Sequence, residues 1–349
     1  MSLRHHRHVQ RITIKDVARA SGVSTQTVSR VLNDRPDVSE DTRLRVKQII
    51  TDLNYHPSAL ARSLIHQRSF TLGVIIYGLK YVGVNRTLAA IIEQAQVFGY
   101  NLLIKELPNL AIEDVQPVVR DLLASEVEGI IYAVQEWGDN WRIIQEQLVE
   151  PPVPIIYLKH QPHPNFCTIS VDNYSGGCLA TQHLIDIGRK NIAHISGPEK
   201  WQESSARLQG WQDTLRAAGL PAEERRCVMG DWSSACGEKC FHELLQSFPQ
   251  VDAIFAANDQ MALGVLHSAS KRGIHIPDDL AIVGFDDIAE AAYFTPSLTT
   301  IRQDFDQLGA LAIKKMLQII RYEALDEEAP IPDTVILQPQ LILRESSAR

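Results

Sequence analysis

Residues 13–54 read TIKDVARASGVSTQTVSRVLNDRPDVSEDTRLRVKQIITDLN, and their caps and apolar spacing predict three short helices. Thr13 stands in an N-cap position with Asp16 three residues on, where a carboxylate suits the exposed amides of a first turn. The helix it opens should stop at Gly22. Ser24 then caps a second helix, TQTVSRVLN, and the tight connection Ser21-Gly22-Val23 lets the two helices cross steeply, in the geometry of a helix-turn-helix. Ser39 caps a third, with Glu40 and Asp41 in its first turn and Leu44, Ile49 and Leu53 supplying much of its buried stripe. Val17, Ala18, Val23, Val28, Val31, Leu44 and Leu53 are the expected core, small enough to be marginal alone.

Outward from this headpiece the charge changes sign. Residues 1–68 carry a net +6, whereas the rest of the 349-residue chain carries −14. A basic segment on an acidic body is the electrostatic footprint of a polyanion binder, since each neutralised phosphate releases condensed counterions. After Pro57 comes SALARSL, good helix formers too few to be stable in isolation. From Phe70 onward apolar runs (TLGVII, NLLIKEL, GIIYAV, PIIYL) alternate with amphipathic stretches, and the pattern resumes after a break near Asp172 with NIAHISG, AIFAAN and LAIVGF. That alternation predicts two successive parallel α/β lobes. Such sheets place ligands at the carboxyl ends of their strands, so two facing lobes make a cleft.

Five sparse cysteines, an odd number, do not read as a disulfide framework and fit a reducing, cytoplasmic setting. The first residues, MSLRHHRHVQ, lack an apolar segment, and no run approaches the roughly 18 apolar residues that span a bilayer. No export is therefore expected.

Residues 13–64, TIKDVARASGVSTQTVSRVLNDRPDVSEDTRLRVKQIITDLNYHPSALARSL, resemble the headpiece and hinge of the LacI/GalR family of transcriptional regulators. The likeness continues through GWQDTLRAAGL, GDWSS, ANDQMALGVLHSASKRGIHIPDDLAIVGFDD and PSLTTIRQDFDQLG, and covers about residues 12–346. It implies an all-α helix-turn-helix headpiece plus an α/β two-lobed periplasmic-binding-protein-like domain. The expected divisions are 12–57 for the headpiece, 58–69 for a hinge helix and linker, and 70–346 for the effector-binding and dimerisation domain. Within the last, lobe 1 should hold about 70–172 and 303–332, and lobe 2 about 173–302 and 333–346.

The resemblance also implies a function: a dimeric, cytoplasmic repressor of carbohydrate genes that binds a palindromic DNA operator and answers to a small sugar or glycoside, without a cofactor. In the second helix Thr25, Gln26 and Arg30 fall where the family reads base edges, and Gln suits adenine as Arg suits guanine. Ser24, Thr27, Ser29 and Asn33 fall at phosphate or positioning contacts. Leu64 matches the family's minor-groove wedge, beside Ala61. Around the ligand the matching positions are Arg207, Trp232, Asn258, Asp286 and Gln303, with Phe305 close by and Tyr81 on the far side. One departure bears on ligand identity: Lys159 stands where a family member carries an aspartate. Its ammonium cannot accept a hydroxyl hydrogen, so it is expected to pair with Asp286 or to meet an anionic ligand such as a sugar acid.

Other classes find less support. No G-x-G-x-x-G, Walker A string or G-x-S-x-G elbow occurs, so nothing positions a phosphate or a nucleophile and no enzyme is expected. Cys236 and Cys240, one turn apart with His242 nearby, fit no strong zinc pattern and read as core thiols. A transport receptor would share the cleft but would not carry the helix-turn-helix. The family's tetramerising member uses leucine heptads after its last strand; LILRESSAR holds none, so a dimer is the expected assembly.

Overall fold

Asp16 sets the start of the first helix, its Oδ2 accepting from the Thr13 amide at 2.9 Å and the Thr13 hydroxyl at 2.7 Å. The computed structural model describes residues 12–32, 34–55, 68–111, 113–324 and 333–347. Residues 1–69 and 70–349 are separate units. In the first, helices α1 (Ile14–Ser21), α2 (Thr25–Leu32) and α3 (Glu40–Asp52) follow the expected order. Gly22 takes φ 67°, a left-handed value that costs a residue with a Cβ, and so permits the sharp turn into α2. The Ser24 hydroxyl accepts from the Thr27 amide at 3.1 Å and caps α2.

The headpiece core gains Val46 and Tyr55 over expectation and loses Leu44. Val17, Ala18, Val28, Val31, Val46 and Tyr55 are buried, whereas Leu44 is 59% exposed. The stripe of α3 runs Val46, Ile49, Ile50 and Leu53, the i, i+3, i+4, i+7 set of one face. Leu44, two residues before Val46, is rotated about 200° away at 100° per residue.

The second unit has two sheets. The first runs β11-β5-β4-β3-β1-β2, from strands β1 (Thr71–Ile76), β2 (Asn101–Glu106), β3 (Ile130–Ala133), β4 (Ile155–Leu158), β5 (Cys167–Val171) and β11 (Thr334–Leu337), all parallel. Helices α4 (Val82–Val97), α5 (Gln116–Ala124), α6 (Asn140–Gln147) and α11 (Phe305–Ala324) belong to this lobe. The second sheet runs β12-β10-β9-β8-β6-β7, from β6 (Ile192–Ser196), β7 (Cys227–Met229), β8 (Ala253–Ala256), β9 (Ala281–Asp286), β10 (Thr299–Arg302) and β12 (Gln340–Ile342), with only β12 antiparallel. Its helices are α7 (Asn173–Asp186), α8 (Gln202–Ala217), α9 (Ser234–Ser247) and α10 (Asp259–Lys271).

Both sheets are covered on both faces, which is why their strands are near-continuous apolar runs. Leu72, Val74 and Ile76 of β1 face one core cluster while Ile75 faces another. The chain passes between lobes after β5, after β10 and after β11. The third passage corrects the expected boundary at 333, because Thr334–Leu337 is an edge strand of the first sheet, paired with β5. A short, half-exposed edge strand shows no buried alternation by which a sequence could assign it to either sheet. Among the described residues all five cysteines are free, no group of three or more His, Cys, Asp or Glu is placed to hold a metal, and no helix is long and apolar enough to cross a membrane.

Candidate functional site

The carboxyl ends of both sheets face one cleft, part of it open to solvent, the place where two α/β lobes hold small molecules. All eight residues singled out from the sequence line it: Tyr81, Lys159, Arg207, Trp232, Asn258, Asp286, Gln303 and Phe305. Topology explains the convergence. Tyr81 follows β1, Lys159 β4, Trp232 β7, Asn258 β8 and Gln303 β10, while Asp286 ends β9 and Arg207 lies one turn inside α8.

Arg207 is 3% exposed. Its Nε donates to Asn173 Oδ1 at 2.8 Å and its Nη1 to the Ala257 carbonyl at 2.5 Å. The same Nη1 stands 3.9 Å from Asp286 Oδ1, and the guanidinium stacks 3.7 Å from the centre of the Phe285 ring. Gln303 Nε2 donates to Asp286 Oδ1 at 2.6 Å. Burial pushes the Asp286 carboxyl above its ordinary range, and Arg207, Gln303 and Lys159 pull it partly back. A buried carboxylate held this way keeps its second oxygen for a ligand hydroxyl.

Trp232 supplies an apolar face. Its indole rests on Gly197, where a Cβ would come within 2.1 Å of the ring, so the close approach requires glycine. Asn258 positions it: Nδ2 donates to the Trp232 carbonyl at 3.0 Å and to Gln260 Oε1 at 3.0 Å, and Oδ1 accepts from the Met261 amide at 2.9 Å as the cap of α10. With both donors committed, only acceptor capacity remains for a ligand. Lys159 does not pair with Asp286; its ammonium lies 5.5 Å from the centre of the Phe305 ring. Lys159, Trp232 and Asp286 all have positive φ (65°, 75° and 113°), a strain of about 1–3 kcal/mol each that clusters where a ligand is held.

Sequence reasoning passed over Gln135, Trp201 and Glu203, which also line the cleft. Each follows closely on a strand end, after GIIYAV or NIAHISG, and that position was the available signal. Asp259 was missed as well. It is fully buried beside the cleft, accepting from Thr300 Oγ1 at 2.5 Å and the Ile288 amide at 2.8 Å.

On the headpiece, the cap residue Ser24 and Thr25, Gln26 and Arg30 of α2 are exposed, Val28 and Val31 are buried, and Thr27 and Ser29 are half-buried. Arg30 pairs loosely with Asp37 at 3.4 Å, a contact that phosphate or a guanine edge could replace. Asn33, Ala61 and Leu64 lie outside the described residues, as does the segment 56–67 that holds most of the expected hinge.

Residues 13–58 match the family described as "Bacterial regulatory proteins, lacI family", and residues 181–347 match "Periplasmic binding protein-like domain". The ribose operon repressor of Escherichia coli is 34% identical over 320 residues, 90% of this chain and 95% of that protein. The catabolite control protein A of Priestia megaterium is 32% identical over 317 residues, 90% of this chain and 94% of that protein. This chain belongs to the LacI family. A lac repressor dimer bound to operator and an anti-inducer matches in structure with TM-score 0.84 and 29% identity, over 97% of this chain and all of that one. The regulator CelR in complex with cellobiose matches with TM-score 0.70 and 28% identity, over 96% of this chain and all of that one. As a LacI-family regulator, the protein combines a DNA-binding headpiece with a ligand-binding domain.

Asp259 generates a pH prediction. Burial first, then the charge of Asp286, holds its carboxyl well above the ordinary range, so the folded state binds a proton that the unfolded chain releases near pH 4. Its contribution is whole below that pH and is lost as pH rises toward the folded value. Asp259→Asn should therefore gain on the wild type as pH rises from 4, by up to about 1.4 kcal/mol per unit within the window. Urea unfolding at a series of pH values checks this; a difference that shrinks with rising pH would show Asp259 ionised in the fold.

Proposed function

We propose that this chain is a homodimeric repressor whose grip on a palindromic operator is set by a small sugar or glycoside held between the lobes of its second unit. The observation that carries the reading is the meeting of Arg207, Asp286 and Gln303 with the face of Trp232 at the strand ends of both sheets. Paired charges that share vicinal hydroxyls, beside an apolar plane, suit a pyranose ring. The structural relatives support it by what their names describe: a dimer on operator with an anti-inducer, and a cellobiose complex. The curated relatives are named as repressors and a control protein, which favours regulation over catalysis.

In the proposed assignment Asp286 accepts from ligand hydroxyls, Arg207 donates, and Trp232 stacks, with Tyr81, Gln303 and Phe305 completing the wall. Asn258 positions Trp232. Thr25, Gln26 and Arg30 read bases, while Ser24, Thr27, Ser29 and Asn33 contact phosphate or orient the helix. Ala61 and Leu64 are assigned to the minor groove by family resemblance alone. Two recognition helices must meet two half-sites, which is why the active unit is a dimer. A second reading, a sugar acid, rests on Lys159, whose ammonium lines the same cleft.

Calorimetry with a panel of sugars and their acids separates the two. For a neutral ligand, Asp286→Ala should cost a few kcal/mol, because it strands buried partners, and Lys159→Ala less. The order reverses for a carboxylated sugar, with affinity then falling as salt is raised. Wild-type affinity in both Asp286→Ala and Arg207→Ala would refute the cleft assignment.

On the DNA side, Gln26→Ala and Arg30→Ala should each cost roughly 1–3 kcal/mol on a selected operator and leave binding to random DNA nearly unchanged. Equal losses on both DNAs would reduce these residues to phosphate contacts.

A further inference from the structure

The loops that follow β3 and β6 meet across the mouth of the cleft. The Gly138 amide donates to the Lys200 carbonyl at 2.9 Å and the Gln202 amide to the Glu136 carbonyl at 3.1 Å, which makes Trp137 and Trp201 an isolated antiparallel pair. This β-bridge joins the two lobes. Its first-lobe side is held from behind by buried Asn140, whose Oδ1 accepts from the Trp137 amide and whose Nδ2 donates to the Gln135 carbonyl, both at 2.9 Å. The Glu136 carboxylate accepts from the Gln161 amide at 3.0 Å.

Two backbone hydrogen bonds in a loop do not hold by themselves, because an isolated pair of short strands is marginal in water. The indole of Trp201 supplies the remainder. Trp201 belongs to the chain of the second lobe, yet it is 7% exposed and sits in the apolar cluster of the first, with Ile75, Tyr132 and Tyr157. Its ring meets Tyr81 edge-on at 5.2 Å and Trp232 at 5.6 Å. Outside it, the Lys200 ammonium lies 4.9 Å from the Trp137 ring centre. Trp201 therefore does two things at once: it anchors the bridge in the opposite lobe, and it walls the cleft beside Trp232.

We propose that the Trp137–Trp201 bridge is a strap that holds the two lobes closed over the cleft, and that closure depends on the Trp201 indole. A ligand passes in or out when the strap parts, so the lifetime of the bridge sets the exchange of whatever the cleft holds. This consequence rests on the reading of the cleft as the effector site; the strap itself does not.

Amide hydrogen exchange on the full chain, followed by mass spectrometry with residue resolution, tests the strap without ligand or DNA. In the wild type the Gly138 and Gln202 amides should be protected about 100-fold or more over free loops. Trp201→Ala should reduce that protection at least about tenfold while leaving strands β1 and β8 unchanged. Because removing the indole could disturb the first lobe, a second variant is Gln202→Pro. Residue 202 is the first of α8, where proline is tolerated, and Trp201 already has φ −84° and ψ 119°, the conformation required before a proline. It deletes one bridge donor, and the remaining Gly138 amide should exchange faster. Unprotected amides in the wild type, or protection at Gly138 unchanged in both variants, would overturn the strap and leave the effector reading standing.

Discussion

A guanidinium and a carboxylate facing each other inside a protein are expensive to hold, and the arrangement of the second unit turns on the pair Arg207 and Asp286. Each is more than nine-tenths buried, and desolvation of both offsets much of the attraction across 3.9 Å. Additional partners meet the cost: Asn173 and the Ala257 carbonyl for Arg207, Gln303 for Asp286, and the Phe285 face beneath the guanidinium. The pair sits where strands from the second sheet end and where the chain re-enters the first lobe. A site tolerating such a cost on fold stability is best understood as serving a ligand.

The neighbouring residue carries that site outward. Asp287, also at positive φ, accepts from Arg302 Nε at 2.6 Å and from Arg344 Nη2 at 2.7 Å. Its carbonyl accepts from Arg86 Nη1, on α4 of the first lobe, at 3.1 Å. A ligand that shifts Asp286 therefore pulls on a turn tied to both lobes. The strap at Trp137 and Trp201 makes a second non-covalent tie between the lobes, beside the three crossings of the chain. Allosteric control requires differential contacts in two arrangements of the lobes, and these ties are the contacts such a change would make or break.

Much of this was legible in the sequence, for identifiable reasons. Caps at Thr13, Ser24 and Ser39 and the stop at Gly22 are local signals, and the helix-turn-helix follows from them. Buried strands announce themselves as apolar runs, so two α/β lobes and a cleft at their strand ends could be inferred. The eight cleft residues came from family likeness, since no spacing in a single chain brings Tyr81 and Asp286 together. What escaped depended on tertiary contact. Leu44 and Val46 lie on opposite faces of α3, and only the position of α1 and α2 decides which face is buried. Asp259 reads as an ordinary acidic first-turn residue, yet the fold buries it against Thr300 and Ile288. Trp201 is a lobe-2 residue whose indole belongs to the core of lobe 1, a pairing between distant loops that no local pattern encodes.

The claim that the buried pair exists for a ligand is tested most directly by replacing both charges at once. A thermal-shift panel of monosaccharides and simple glycosides would be run on the wild type and on an Arg207→Met/Asp286→Leu double variant. No lone charge is left buried, so the double variant alone should unfold within about 4 °C of the wild type. The ligand-induced stabilisation, about 2.7 kcal/mol at 100 times Kd, should vanish. A double variant that kept the wild-type ligand shift, or that failed to fold while each single variant folded, would contradict the account.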